Sequence, residues 1–242
     1  MTASEIDYFF SFYLERMASN GTPALDYRQK SVAINDAMEN LIVQTYNGYT
    51  KPYGFEQTEK RIEDLGELVR YKTYTTFSPG FLPNSTTITL PNTLLTNPTD
   101  FSDVFWFLIF DTCTTNQFEC GSTTVYTTPL VKEINHQELA TLLKDPFNKP
   151  SADTHIFRNR YENLKLALIT DGTFSITSYT IGYVRKPQPI ELDPVNNPQN
   201  IGFINISDHL QREIIKKAVS LSLENLGDPR YQSNKAELNI IE

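Results

Sequence analysis

Apolar and polar residues follow two different periods along this chain, and the change from one to the other organises it. From Ser4 onward, Ile6, Phe9, Phe10, Tyr13, Leu14 and Met17 recur at helical spacing. That spacing predicts an amphipathic helix, because residues three and four apart share one helix face. Ser4 with Asp7 reads as its capping box, and Asn20-Gly21 stops it. A second helix opens at Asp26 with Gln29, places Val32, Ala33, Ala37, Met38, Leu41, Ile42 and Tyr46 on one face, and ends at Asn47-Gly48. A third, YGFEQTEKRIEDLGELVRY over 53–71, carries a narrow stripe of Phe55, Ile62, Leu65, Leu68 and Val69 among charged residues. Its Gly66 costs about 1 kcal/mol against alanine and so points to a close backbone approach.

From Tyr74 the period becomes two. STTITLP alternates, DVFWFLIFDT reads as a buried strand, and STTVYTTPLVKEI reads as a strand interrupted near Pro129. The segment NLKLALITDGTFSITSYTIGYVRKP predicts a β-hairpin turning at Asp171-Gly172, a dipeptide that accepts the positive φ of a two-residue turn. NHQELATLLKDP predicts a short helix ending before Pro146. After the Pro- and Asn-rich KPQPIELDPVNNPQN, a long final helix is capped by Ser207 and lined by Leu210, Ile214, Ala218, Val219 and Leu221; Gly227 and Pro229 end it. The pattern is α+β: a helical N-terminal part (1–72), an antiparallel or mixed β-rich middle (73–205) and a long C-terminal helix with a tail (206–242). With no repeat and no long linker, 1–242 reads as a single structural domain.

Charge sharpens this picture. The net charge is −8 over 242 residues, and from Thr73 to Val131 there is no Lys or Arg, while Asp100, Asp103, Asp111 and Glu119 are present. Such a region repels a nucleic-acid backbone, because that affinity comes from cations displacing condensed counterions. The start MTASEIDYFF lacks a basic leader region, and the longest apolar run, Val104 to Phe110, is far short of the ~20 residues that span a bilayer. Cys113 and Cys120 accordingly read as reduced thiols.

Signals for chemistry are sparse. His136, His155 and His209 show no ligand spacing, and the two cysteines have no histidine near them, so no metal site is expected. His209 with Glu213 at i,i+4 reads as a solvent-exposed pair, and Trp106 within FWFLIF as a core residue. No G-x-S-x-G elbow, phosphate loop or dinucleotide fingerprint is present. The expectation is a protein that is not an enzyme and holds no cofactor.

Two segments carry a family likeness. GFEQTEKRIEDLGELV, following a helix that ends in QTYNGY, and the terminal HLQREIIKKAVSLSLENLGDPRYQ resemble the neck-forming connector, or ring, proteins of crAss-like tailed bacteriophages. The resemblance implies a virion structural protein, built in the host cytoplasm, that stacks below the portal as a homo-oligomeric ring of about twelve copies. Such a ring joins capsid to tail, touches other neck or tail proteins and no membrane, and lets DNA pass without specific binding. The matching residues are candidates for assembly contacts: Phe55, Glu56, Lys60, Arg61, Asp64 and Leu65 in the third helix, and Arg212, Glu213, Asp228, Pro229, Arg230, Tyr231 and Gln232 at the C-terminal end. Asp100 and Asp103 are candidates for the channel lining. Competing readings are a tail or tail-hub component, a virion-associated hydrolase acting through clustered carboxylates or a triad, and a host-targeted binding module.

Overall fold

The computed structural model describes residues 1–17, 25–47, 66–93, 103–118, 124–145, 147–162 and 164–225. The fold is α+β. The chain divides into two compact units, Met1–Leu68 with Pro187–Glu242, and Val69–Lys186.

The first unit is helical. Helices α1 (Ala3–Met17) and α2 (Tyr27–Asn47) both pack on the C-terminal helix, Asp208–Asn225. The cap of α1 lies two residues earlier than its sequence suggests: the Thr2 amide donates to the Glu5 carboxylate at 2.9 Å and the Glu5 amide to the Thr2 hydroxyl at 3.3 Å. Ser4 is free for another task, and its amide and hydroxyl both donate to Asn200 Oδ1, at 2.8 and 2.9 Å. On α1 the buried positions are Ala3, Ile6, Phe10 and Leu14. On α2 the Asp26 amide donates to Gln29 Oε1 as expected, but Val32 is 54% exposed and Ile34 is buried in its place. Ile34, Ala37, Met38 and Leu41 form one continuous row, from which Val32 is rotated by roughly half a turn. Lys30 ties α1 to α2 through Asp7 Oδ1 at 2.7 Å and Ser11 Oγ at 3.0 Å.

The segment 187–207, which the sequence places with the β-rich part, belongs to this helical unit. Asn35 holds it as a strand neighbour would, donating to the Ile190 carbonyl at 3.0 Å and accepting the Ile190 amide at 2.8 Å. Ser31 accepts the Leu192 amide at 3.0 Å. In the C-terminal helix Ser207 precedes the first turn, yet its buried hydroxyl has no hydrogen-bond partner among the described residues. Gln211 anchors the helix start instead: its amide group donates to the Ile206 carbonyl at 2.8 Å and the Asp208 carboxylate at 3.1 Å, while Oε1 accepts from the Met1 ammonium at 2.8 Å. Leu221 is half-buried, and Ile215, Ser222 and Leu223 are buried beside the expected Leu210, Ile214, Ala218 and Val219.

The second unit is a sandwich. Its strands are β1 (Val69–Tyr74), β2 (Ser78–Pro79), β3 (Ser85–Thr89), β4 (Asn92–Thr93), β5 (Asp103–Phe118), β6 (Thr124–Thr127), β7 (Leu130–Glu133), β8 (His155–Glu162), β9 (Lys165–Ile169) and β10 (Ser175–Arg185). Sheet one runs β1-β10-β5-β4, with β6 on the far end of β5; sheet two runs β2-β3-β9-β8-β7, antiparallel except for the parallel β7–β8 pair. One apolar core, including Ile88, Ile156, Leu168, Tyr179 and Ile181, lies between them. The short helix α3 (His136–Leu142) covers the other face of sheet two through Ile134, Leu139, Phe157 and Ile169. The long C-terminal helix is α4 (Asp208–Asn225).

Three local expectations change here. Residues Val69–Tyr71 are strand, so the third helix does not reach them, and a Cβ at Gly66 meets no atom within 4 Å among the described residues. The body of that segment, 53–65, lies outside the described residues. The Asp171-Gly172 turn is not a hairpin: β9 pairs with β3 and β8, and β10 with β1 and β5. It is an arch that carries the chain from one sheet to the other. Gly172 has φ +87°, a Cβ there would fall 2.7 Å from the Asn84 side chain, and Asp171 accepts the Thr173 amide at 2.9 Å. The dipeptide does turn the chain, but β3 and β8 occupy both edges of β9. The interruption near Pro129 likewise separates β6 in sheet one from β7 in sheet two. Trp106, expected in the core, is half-buried and stacked on Phe107 at 4.6 Å between centroids.

Gly202 shows how tightly segment 187–207 meets the N-terminal strand of chain, since a Cβ there would fall on the Met1 carbonyl oxygen and backbone cannot swing aside. Gly202→Ala is expected to cost about 2 kcal/mol by overpacking, read as a lower urea midpoint at unchanged slope. An unchanged midpoint would count against this packing.

Candidate assembly surfaces

Strand β5 sets what each face of sheet one presents. Opposite β10, Gly182 pairs with Phe110, Tyr183 with Leu108, Val184 with Phe107 and Arg185 with Phe105, so Ile109 and Trp106 are extra residues. Each bulge reverses the alternation. The inward series is Phe105, Leu108, Asp111, Cys113, Thr115: the two reversals cancel between Phe105 and Asp111 and exchange only Phe107 for Leu108, and Asp111 brings a carboxylate into the sandwich.

That carboxylate is met at once. Asp111 Oδ2 accepts from Arg158 Nη1 and from the Tyr179 hydroxyl, both at 2.6 Å, and Arg158 Nη2 donates to Glu133 at 2.6 Å. Arg158 lies on β8 and Glu133 on β7, so the cluster bolts sheet two to sheet one. Burial opposes the charge on Arg158, and Asp111, with help from Tyr179 and Glu133, outweighs it, holding the guanidinium above its usual range. Burial, then the Asp111 charge, pushes the Tyr179 phenol upward, and the same two causes push the free Cys113 thiol up to about 12. Cys113 is therefore a neutral core residue and no nucleophile; Cys120 lies outside the described residues. Asp103, at the other end of β5, accepts the Tyr183 hydroxyl at 2.6 Å.

Among the described residues no group of three or more His, Cys, Asp or Glu could hold a metal ion, and no helix is long and apolar enough to cross a membrane. His136 Nε2 sits 2.9 Å from the Arg160 carbonyl and His155 Nε2 3.4 Å from the Asn148 carbonyl, so both rings brace backbone. His209 is exposed on the first turn of α4.

Of the predicted contact residues, Arg212 is exposed on α4, on the face away from Leu210 and Ile214, and Glu213 is half-buried at the flank of that row. Phe55, Glu56, Lys60, Arg61, Asp64, Leu65, Asp228, Pro229, Arg230, Tyr231, Gln232 and Asp100 lie outside the described residues. Asp103 is half-buried at the rim of the sandwich, its carboxylate engaged by Tyr183.

Two surfaces escaped the sequence reading. On α1, Tyr8 and Phe12 are 65% and 47% exposed and stacked at 6.4 Å, with Phe9 and Tyr13 edge-on beside them. Tyr8 and Phe12 occupy the face opposite Ile6, Phe10 and Leu14. On the outer face of sheet one, Tyr71 and Phe110 meet at 5.7 Å above Gly182, where a Cβ would strike the Phe110 ring. Thr73 and Thr180 are linked at 2.9 Å beside them. A legible trace existed: Thr112, Thr114 and Asn116 alternate with Cys113 and Thr115, so small uncharged residues face out where charged ones are usual. The two bulges hid how far that face extends.

The comparisons with known proteins decide what kind of molecule carries these surfaces. The family described as phage tail ring protein 3/4 matches residues 1–229. The chain belongs to this family. Ring protein 4/5 of Bacteroides phage crAss001 is 23% identical over 238 residues, 92% of each chain, and Ring protein 3 of the same phage is 25% identical over 236 residues, 92% of this chain and 95% of the relative. This chain is thus similar to phage structural ring proteins along nearly its full length, including the β-rich middle that carries no recognised motif. For a ring protein the chemistry of interest is association, and the Arg158 cluster bears on it by tying sheet two to the sheet that carries Tyr71 and Phe110.

Removing Arg158 strands the buried Asp111 charge, so Arg158→Ala is expected to lose about 3–5 kcal/mol of stability in chemical denaturation; a loss under 1 kcal/mol would mean the cluster is incidental. Burial also raises the phenols of Tyr74, to about 12, and of Tyr179 and Tyr183. Unfolding frees these groups to ionise from the ordinary value of 10.0, so stability is full below that pH and falls as pH rises through 10 toward 12. A denaturation midpoint that stays level to pH 12 would contradict it.

Proposed function

We propose that this ring protein assembles as a closed homo-oligomeric ring of about twelve copies below the portal, joins the capsid to the tail, and surrounds the path of the genome. The observation that carries the reading is the extent of the family match, residues 1–229 of 242. The role is structural and not catalytic, and the site of action is the neck of the virion after assembly in the host cytoplasm. Charge supports it: with a net −8 and no Lys or Arg from Thr73 to Val131, a ring of such subunits offers DNA little to grip, so DNA slides through. Asp100 and Asp103 are the acidic residues of that stretch proposed to face the channel.

The test is the native mass of the purified chain, alone and mixed with the portal of its own virus, by light scattering behind a sizing column. The expected result is a mass near twelve subunits, alone or in a portal-dependent complex. A single-subunit mass under both conditions would overturn the connector role.

A further inference from the structure

Val184 is buried, but the outer face of sheet one around Tyr71, Phe110 and Thr112 is open to solvent. Tyr71, Thr73, Phe110, Thr112 and Tyr126 are exposed on it, at 68% for Tyr71 and 63% for Tyr126. Following the register across β1, β10, β5 and β6, the described positions that point outward include no Lys, Arg, Asp or Glu. In a chain of net charge −8 this is a conspicuous gap.

We propose that a second copy of this chain docks on this face, as one side of the contact between neighbours in the ring; the inference rests on the ring reading above. Copies that each carry −8 repel, and the least costly place for them to meet is one where no ion loses its water. Depletion of charge with enrichment of Tyr and Phe is also what marks the core of a protein interface. A nucleic acid or an anionic lipid surface would find no cation here. The face is already ordered: Tyr71 and Phe110 hold each other over Gly182, and Thr73 and Thr180 share a hydrogen bond, so docking costs little side-chain entropy. Four strands at ~4.8 Å spacing and five residues at ~3.3 Å give about 300 Å² per side. That is below the ~800 Å² per partner of a standard interface, so an isolated pair is weak and ring closure, in which every copy has two neighbours, supplies the remainder. A ring contact is heterologous, so the docked surface of the neighbour is a different one from this face.

The experiment places one charge at the centre of the face. Thr112→Lys is an exposed substitution that makes the chain less negative, so any general effect of charge would favour assembly. The expected result, in the light-scattering assay with portal, is an assembled fraction at least about tenfold lower than wild type at an unchanged melting temperature, while Val195→Lys, on a loop and 85% exposed in the wild type, assembles normally. Normal assembly of Thr112→Lys, or equal loss in both variants, overturns the proposal and leaves the ring reading standing. A wild-type chain that stays a single subunit with portal overturns both. Should Thr112→Lys melt early, a photo-crosslinking residue in place of Tyr71 decides in the assembled virion: an adduct between two copies of this chain supports the proposal, and an adduct to another protein, or none, overturns it.

Discussion

The sandwich depends on one buried charge and the means found to satisfy it. Asp111 of β5 points inward, in phase with Cys113 and Thr115, where it would be ruinous alone. Arg158 reaches it from the opposite sheet, Tyr179 donates from the neighbouring strand, and Glu133 takes the other arm of the guanidinium. An apolar core could hold two sheets at many rotations and offsets; a cluster with 2.6 Å contacts on both sides tolerates one. The interaction is worth more for specificity than for net stability, since the desolvation of both ions offsets much of their attraction.

A similar logic runs through the helical unit with uncharged groups. Its long segment 187–207 has no strand to join, so side-chain amides and hydroxyls stand in for a ladder: Asn35 for Ile190, Ser31 for Leu192, Asn197 for Ile201. Gln211 gathers the start of α4 and the Met1 ammonium around one buried amide. Polar residues here do the positioning that apolar stripes cannot, because hydrogen bonds have direction and burial has none.

Rigidity of this kind suits a protein whose work is to be one member of a ring. Faces that meet a partner gain from being ordered beforehand, as the aromatic pair over Gly182 and the stacked rings of α1 are. The family match spans the β-rich part as well as the two helical ends, which places the sandwich among the shared features rather than as an addition to them.

What could be read from the chain beforehand were its local periods and their punctuation. The α+β order, the extents of α1, α2 and α3, the strand at STTITLP and the break at Pro129 follow from spacing, caps and proline geometry, all of which act within a few residues. The family likeness at the two ends was legible for the same reason, as contiguous phrases. Partnership was not legible. Asp171-Gly172 encodes a turn equally well in a hairpin or an arch, and only the occupied edges of β9 choose the arch. Val32 and Ile34 are equally apolar, and only the position of α4 says which is covered. The bulges of β5, which its own residues do not announce, decide that Leu108 faces in and Phe107 out, and the partner of Asp111 comes from the other sheet, so the pairing of Asp111 and the full outer face of sheet one both waited on the tertiary structure. Propensity is a property of a segment, whereas pairing and burial are competitions between segments, and the outcome of a competition exists only once the whole chain has folded.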